Sequence, residues 1–114
     1  MTKPKVSNVV YLHAHDAGRH VEPYGFSAPS PHVQRLAEDG VVFRQAFSTS
    51  PQCSPSRASI LTGLWPHVAG MMGLANFGFE MSDFSRHLAQ SLSSLGIETV
   101  LAGLQHVAPD QSVI

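Results

Sequence analysis

At 114 residues, with 43% hydrophobic and 13% charged residues, the chain is too apolar for a disordered tail and has the size of one domain. Its formal net charge is −1 and its seven Lys and Arg residues are scattered, so it has no basic stripe for nucleic acid or an anionic membrane. The single cysteine excludes an internal disulfide and leaves Cys53 a role in packing or in chemistry.

The N-terminal residues 1–6 carry positive charge. Val6 to Leu12 is interrupted by Ser7 and Asn8 and runs into His13, His15 and Asp16, which is too short and polar for a signal-peptide core. No apolar run approaches the ~20 residues of a bilayer span, and the chain reads as cytoplasmic. Asn8 to Leu12, β-branched and aromatic with polar residues after it, predicts a buried central parallel strand. Gly18 to Pro31 is a Gly-, Pro- and Ser-rich loop. Ser30 can cap a following helix that has Pro31 at its first position, an apolar stripe at Val33, Leu36 and Ala37, and a stop at Gly40.

Val41 to Phe47 reads as a second strand. Ser48 to Pro55 is turn-rich, and Arg57 to Leu61 should form the opening turns of a helix. Trp65 to Ser82 has no clear period and reads as irregular; its Met71, Met72, Phe77 and Phe79 suit core packing better than a substrate pocket. Asp83 is a cap for a helix carrying Phe84, Leu88, Leu92 and Leu95 up to Gly96, and Ile97 to Ala102 reads as a third buried strand. This alternation predicts an α/β fold with a mainly parallel sheet and right-handed crossovers, whose sites form at the C-terminal strand ends. His13, His15 and Asp16 follow the first strand, Cys53 lies beyond the second, and His106 follows the third.

A cysteine opening a helix sits beside unpaired N–H groups and the positive end of the helix dipole, surroundings that favour an anion. Arg57, one turn on, could reach an oxyanion held near Cys53. His13 and His15 would share one strand face, a spacing that could also serve zinc or manganese. From the residues alone Cys53 is either a reactive or anion-binding thiol or an inert core residue.

Cys53-Ser54-Pro55-Ser56-Arg57, followed by Ala58-Ser59-Ile60-Leu61-Thr62-Gly63, resembles the modification signature of type I sulfatases, in which a maturation enzyme oxidises the cysteine to formylglycine. Tyr24-Gly25 and Pro31 to Phe43 also resemble the family's order. Gly70 to Leu74 and Gly103 to Pro109 look most like its sulfamidase branch, which cleaves N-sulfated glucosamine. The resemblance implies an alkaline-phosphatase-like three-layer sandwich of which residues 1–114 would be an N-terminal fragment, since family members are several times longer. Val113-Ile114, without a cap or polar tail, reads as an interruption of a longer fold.

By the same resemblance, one hydroxyl of the hydrated aldehyde at residue 53 attacks the sulfur of a sulfated small molecule or sugar. The second hydroxyl then lets sulfate leave, an escape that serine or cysteine lacks. A divalent cation, usually calcium, polarises the sulfate. His15 and Asp16 fall where the family has two aspartates that bind the cation together with the modified Cys53. Arg57 would stabilise the modified residue, and His106 matches a histidine that bonds the sulfate. Leu104 stands in place of a sulfate-binding lysine. His67 matches a loop histidine with a structural role, and His20, His32 and His87 have none. Three strands alone should expose apolar surface, so the isolated fragment is expected to be weak or inactive. Two other readings stay open: a phosphonate or phosphate-ester hydrolase of the same superfamily, and a non-catalytic remnant or interaction module.

Overall fold

The computed structural model describes residues 8–110 and 112. Residues 1–6 and Val113-Ile114, noted above for their charge and abrupt end, lie outside the described residues. The chain divides into two compact units, Met1–Arg44 and Gln45–Ile114.

In the first unit a 3-10 turn, Glu22–Tyr24, precedes helix α1, Pro31–Asp39. Pro31 and Gly40 bound α1 as expected, but Ser30 does not cap it with its side chain. Its Oγ instead accepts the Glu22 N–H at 2.9 Å, while the Glu22 carboxylate accepts the Ser30 N–H at 2.7 Å. This reciprocal pair closes the loop between turn and helix, as a capping box does within one helix. Gly40 is not left-handed; a Cβ there would lie 2.9 Å from the Leu36 carbonyl oxygen, so close approach is what demands glycine. The apolar stripe of α1 finds no core, since Val33 and Leu36 are exposed.

The second unit contains α2 (Cys53–Thr62), α3 (Pro66–Ala69) and α4 (Leu88–Ser93), with 3-10 turns at Ala75–Phe77 and Phe84–Arg86. Its core is Ala58, Ala69, Met71, Ala75, Met81 and Val107, with Leu61, Leu64 and Phe84 packed on it. Of the four side chains expected in the core between residues 71 and 79, only Met71 is buried; Met72, Phe77 and Phe79 are exposed. A core this small has room for few large side chains.

The described residues do not show the predicted sheet. Among the described residues there is no strand, and helices and turns are what they contain. Val10 is 88% exposed, Phe47 88% and Val100 85%, one in each predicted strand. These segments have strand composition, but a strand exists only through hydrogen bonds and side-chain pairs with a neighbour, and none of the three meets one. The helix expected from Phe84 to Leu95 is also broken. Asp83 caps the 3-10 turn as predicted, its carboxylate accepting the Ser85 N–H at 3.0 Å and the Ser85 hydroxyl at 2.6 Å. His87 is then extended, φ −64° and ψ 140°, and α4 starts anew behind it. Among the described residues no helix is long and apolar enough to cross a membrane.

Candidate active site

Cys53 is the first residue of α2, after Gln52, whose extended backbone marks the cap position and whose carbonyl accepts the Ser56 N–H at 3.1 Å. Pro55 fits because the first turn needs no N–H from it. Ser54 is fully buried and its Oγ accepts the Ala75 N–H at 3.0 Å, which ties the opening of α2 to the 3-10 turn beneath it. On the outer side Ser48 Oγ donates to the Ser50 carbonyl at 2.7 Å and therefore accepts from Ser56 Oγ, also at 2.7 Å. Gly63, left-handed at φ 71°, ends α2 by returning its N–H to the Ser59 carbonyl. The serines of the signature thus anchor the helix opening, and Cys53 remains half-buried at its end.

The partner of Cys53 comes from the chain around residue 106. Arg57 Nη1 donates to the Leu104 carbonyl at 2.7 Å, and the Val107 carbonyl accepts the Met81 N–H at 3.3 Å. Val107 and Ala108 are buried. Between these anchors His106 adopts φ 62°, a left-handed conformation that strains a residue with a Cβ, and its Nδ1 lies 3.3 Å from Cys53 Sγ. The imidazole can take a proton from, or give one to, whatever atom residue 53 presents there. Arg57, which the sequence suggested would reach back toward Cys53, holds the turn that carries His106.

In the first unit His15 Nδ1 and Asp16 Oδ2 are 3.0 Å apart, with both side chains substantially exposed. Asp16 is also left-handed, at φ 53°. His13 Nδ1 bonds the Tyr11 hydroxyl at 2.6 Å. With no strand here, the shared face once suggested for His13 and His15 has no basis. Their unit is separate from the one that holds Cys53, Arg57 and His106.

His87, given no role from sequence, is only 3% exposed. Its Nδ1 accepts the Ala89 N–H at 3.1 Å and so caps α4. Burial pushes its imidazole pKa down, against a smaller upward pull from the Gln105 amide. A histidine just before an apolar helix, in a place where serine or asparagine would cap, was the available signal. His67 is exposed on α3. A cleft of about 260 Å³, lined by Thr62, Leu64, Met81 and Arg86 among others, lies at the far end of α2 from Cys53.

The sulfatase family profile matches residues 7–113, nearly the whole chain. The chain belongs to the sulfatase family. It is 39% identical over 113 residues to a human N-sulphoglucosamine sulphohydrolase, covering 96% of this chain and 22% of that one. It is 32% identical to an arylsulfatase of Klebsiella aerogenes, over 88% of this chain and 24% of the relative. An N-acetylgalactosamine-6-O-sulfatase of Bacteroides thetaiotaomicron shares 34%, over 88% of this chain and 20% of its own length. The chain therefore spans between a fifth and a quarter of the length of these sulfatases. No solved structure matches it significantly. Sulfatase membership implies an alkaline-phosphatase-like α/β fold, of which the described residues show the helices without the sheet.

Proposed function

We propose that this sulfatase chain supplies the nucleophile of a sulfate-ester or N-sulfate hydrolase, with Cys53 converted to formylglycine by a maturation enzyme. The observation that carries the reading is Cys53 at the head of α2, inside the Cys-Ser-Pro-Ser-Arg signature, with His106 Nδ1 at 3.3 Å. The hydrated aldehyde supplies one hydroxyl to attack sulfur and a second through which sulfate is expelled. His106 holds or moves the proton at residue 53. Arg57 keeps His106 in place through Leu104 and adds positive charge beside an anionic substrate. The helix N-terminus favours the same charge.

The donor set fits calcium in part. Asp16 offers an exposed carboxylate, the hard oxygen that calcium prefers, whereas the His15 imidazole suits softer ions. Asp16 would therefore be a ligand, with His15 beside it in the same unit. A bound divalent cation would draw charge from the sulfate oxygens. The similarity to N-sulphoglucosamine sulphohydrolase supports an N-sulfated amino sugar as substrate.

A non-catalytic reading has one observation in its favour: the position of the family's sulfate-binding lysine holds Leu104, whose carbonyl is occupied by Arg57. Co-expression with a formylglycine-generating enzyme, followed by mass spectrometry of the peptide containing residue 53, separates the two. Aldehyde or its hydrate supports hydrolysis, and an alkylatable thiol throughout removes it. Turnover of aryl sulfate against a phosphate ester then distinguishes a sulfatase from a phosphate-ester hydrolase.

A further inference from the structure

Cys53 and His106 form a pair whose chemistry does not wait on oxidation of residue 53. Sγ and Nδ1 are 3.3 Å apart, and both residues are half-buried, so neither is sealed from a small solute. With the ring proton on Nε2, Nδ1 accepts from the thiol, which sets a nucleophile beside a base. Arg57 at Leu104 and Met81 at Val107 hold the turn on both sides of His106, so the base is in place before a substrate arrives.

The opening of α2 supplies a third part. The Gln52 N–H is taken by Ser50 Oγ at 3.2 Å, Pro55 has no N–H, and the Ser56 N–H returns to the Gln52 carbonyl at 3.1 Å. The N–H groups of Cys53 and Ser54 therefore have no acceptor within the helix. They sit at its positive end, on the nucleophile and its neighbour, where negative charge on an attacked carbonyl oxygen would develop.

The nucleophile selects the electrophile. A thiol that attacked the sulfur of a sulfate ester would stay sulfated, because it lacks the second hydroxyl through which a hydrated aldehyde expels sulfate. Attack on the carbonyl carbon of an ester meets no such block, since water can open the thioester that results.

We propose that the unmodified chain transfers acyl groups from small activated esters, with Cys53 as nucleophile and His106 as general base. Sγ bonds to the carbonyl carbon as the thiol proton passes to Nδ1. The C–O bond to the leaving alcohol then breaks, and the alcohol takes that proton. Water gives a proton to the same nitrogen and attacks the thioester; the C–S bond breaks and the sulfur recovers the proton. The activity belongs to the thiol, so it stands or falls separately from oxidation of residue 53.

The test uses the whole chain, made without a maturation enzyme, and p-nitrophenyl acetate at neutral pH. The folded chain should release one equivalent of nitrophenolate in a burst followed by slower turnover, with the acetyl group recovered on the Cys53 peptide by mass spectrometry. Acylation of Cys53 should be about tenfold or more faster than in the same chain unfolded in urea, where His106 no longer stands beside the thiol. A folded rate equal to or below the unfolded one overturns the proposal without reliance on any variant, and an acetyl group that never leaves Cys53 overturns turnover. His106→Gly should slow acylation by about 10²-fold, and added imidazole should restore part of it, which a purely structural role of His106 would not allow. A variant that keeps the wild-type rate, or that imidazole does not rescue, overturns His106 as the base.

Discussion

Cys53 Sγ and His106 Nδ1 lie 3.3 Å apart, across 53 residues of chain, and the contact is secured by groups belonging to neither. Arg57 grips the Leu104 carbonyl on one side of His106 and Met81 grips the Val107 carbonyl on the other. The left-handed backbone of His106 is the cost of that presentation.

That cost can be measured with two variants that both lose the imidazole. His106→Gly should be more stable than His106→Ala by about 1 kcal/mol, because only the alanine keeps a Cβ at positive φ. Equal urea midpoints would show the conformation to be unstrained.

Ser54→Ala leaves the Ala75 N–H buried without an acceptor, and should destabilise the second unit by about 1–3 kcal/mol. Ser56→Ala removes only an exposed hydroxyl contact with Ser48 and should cost less than about 0.5 kcal/mol. Thermal unfolding of the pair checks the contrast. Similar losses would mean that burial of Ser54 is not what fixes the opening of α2.

Met71 is the largest fully buried side chain of this core. Met71→Ala should cost about 2–5 kcal/mol, whereas truncating the exposed Met72 should be nearly silent. Denaturant titration gives both numbers, and a Met72 effect as large as that of Met71 would contradict the packing described.

Gly70 and Gly63 are both left-handed helix ends, at φ 79° and 71°, but their surroundings differ. A Cβ at Gly70 would meet Ser82 Cβ and Oγ at 2.8 Å, while at Gly63 it would meet open space. Gly70→Ala should therefore lose about 1 kcal/mol or more beyond Gly63→Ala, through overpacking added to the shared backbone penalty. Circular-dichroism melts of the two variants decide it.

The pH dependence of stability should show separate windows. The folded-state pKa of His87 lies below its ordinary 6.5, so the unfolded chain binds more protons there. Its contribution is complete above 6.5 and is lost as pH falls through the lower folded value. Asp83, held below 3.8 chiefly by the Ser85 hydroxyl and then its N–H, loses its contribution only under more acidic conditions. His87→Asn should flatten the first window and leave the second; a first window that survives the substitution would assign it to another group.

Local rules carried the helices and the signature. Pro31 and Gly40 mark the ends of α1 because helix termini are settled within one turn of chain, whereas α2 opens at Cys53, inside the stretch read as turn-rich and ahead of the expected opening at Arg57. The sulfatase family was legible in eleven consecutive residues, Cys53 to Gly63. The same local logic failed at His87, where one extended residue divides a continuous apolar period into two helices. It failed also at Ser30, whose hydroxyl found a distant N–H in place of its own helix.

The sequence by itself determined where α1 begins and ends and that the chain belongs to the sulfatase family, since both are legible in neighbouring residues. Tertiary structure alone decided that Asn8 to Leu12, Val41 to Phe47 and Ile97 to Ala102 remain unpaired, that Met71 is buried while Met72 is not, and that His106 meets Cys53. Sheet pairing, burial and side-chain encounters each need a partner remote in the chain, and no local pattern specifies which partner arrives.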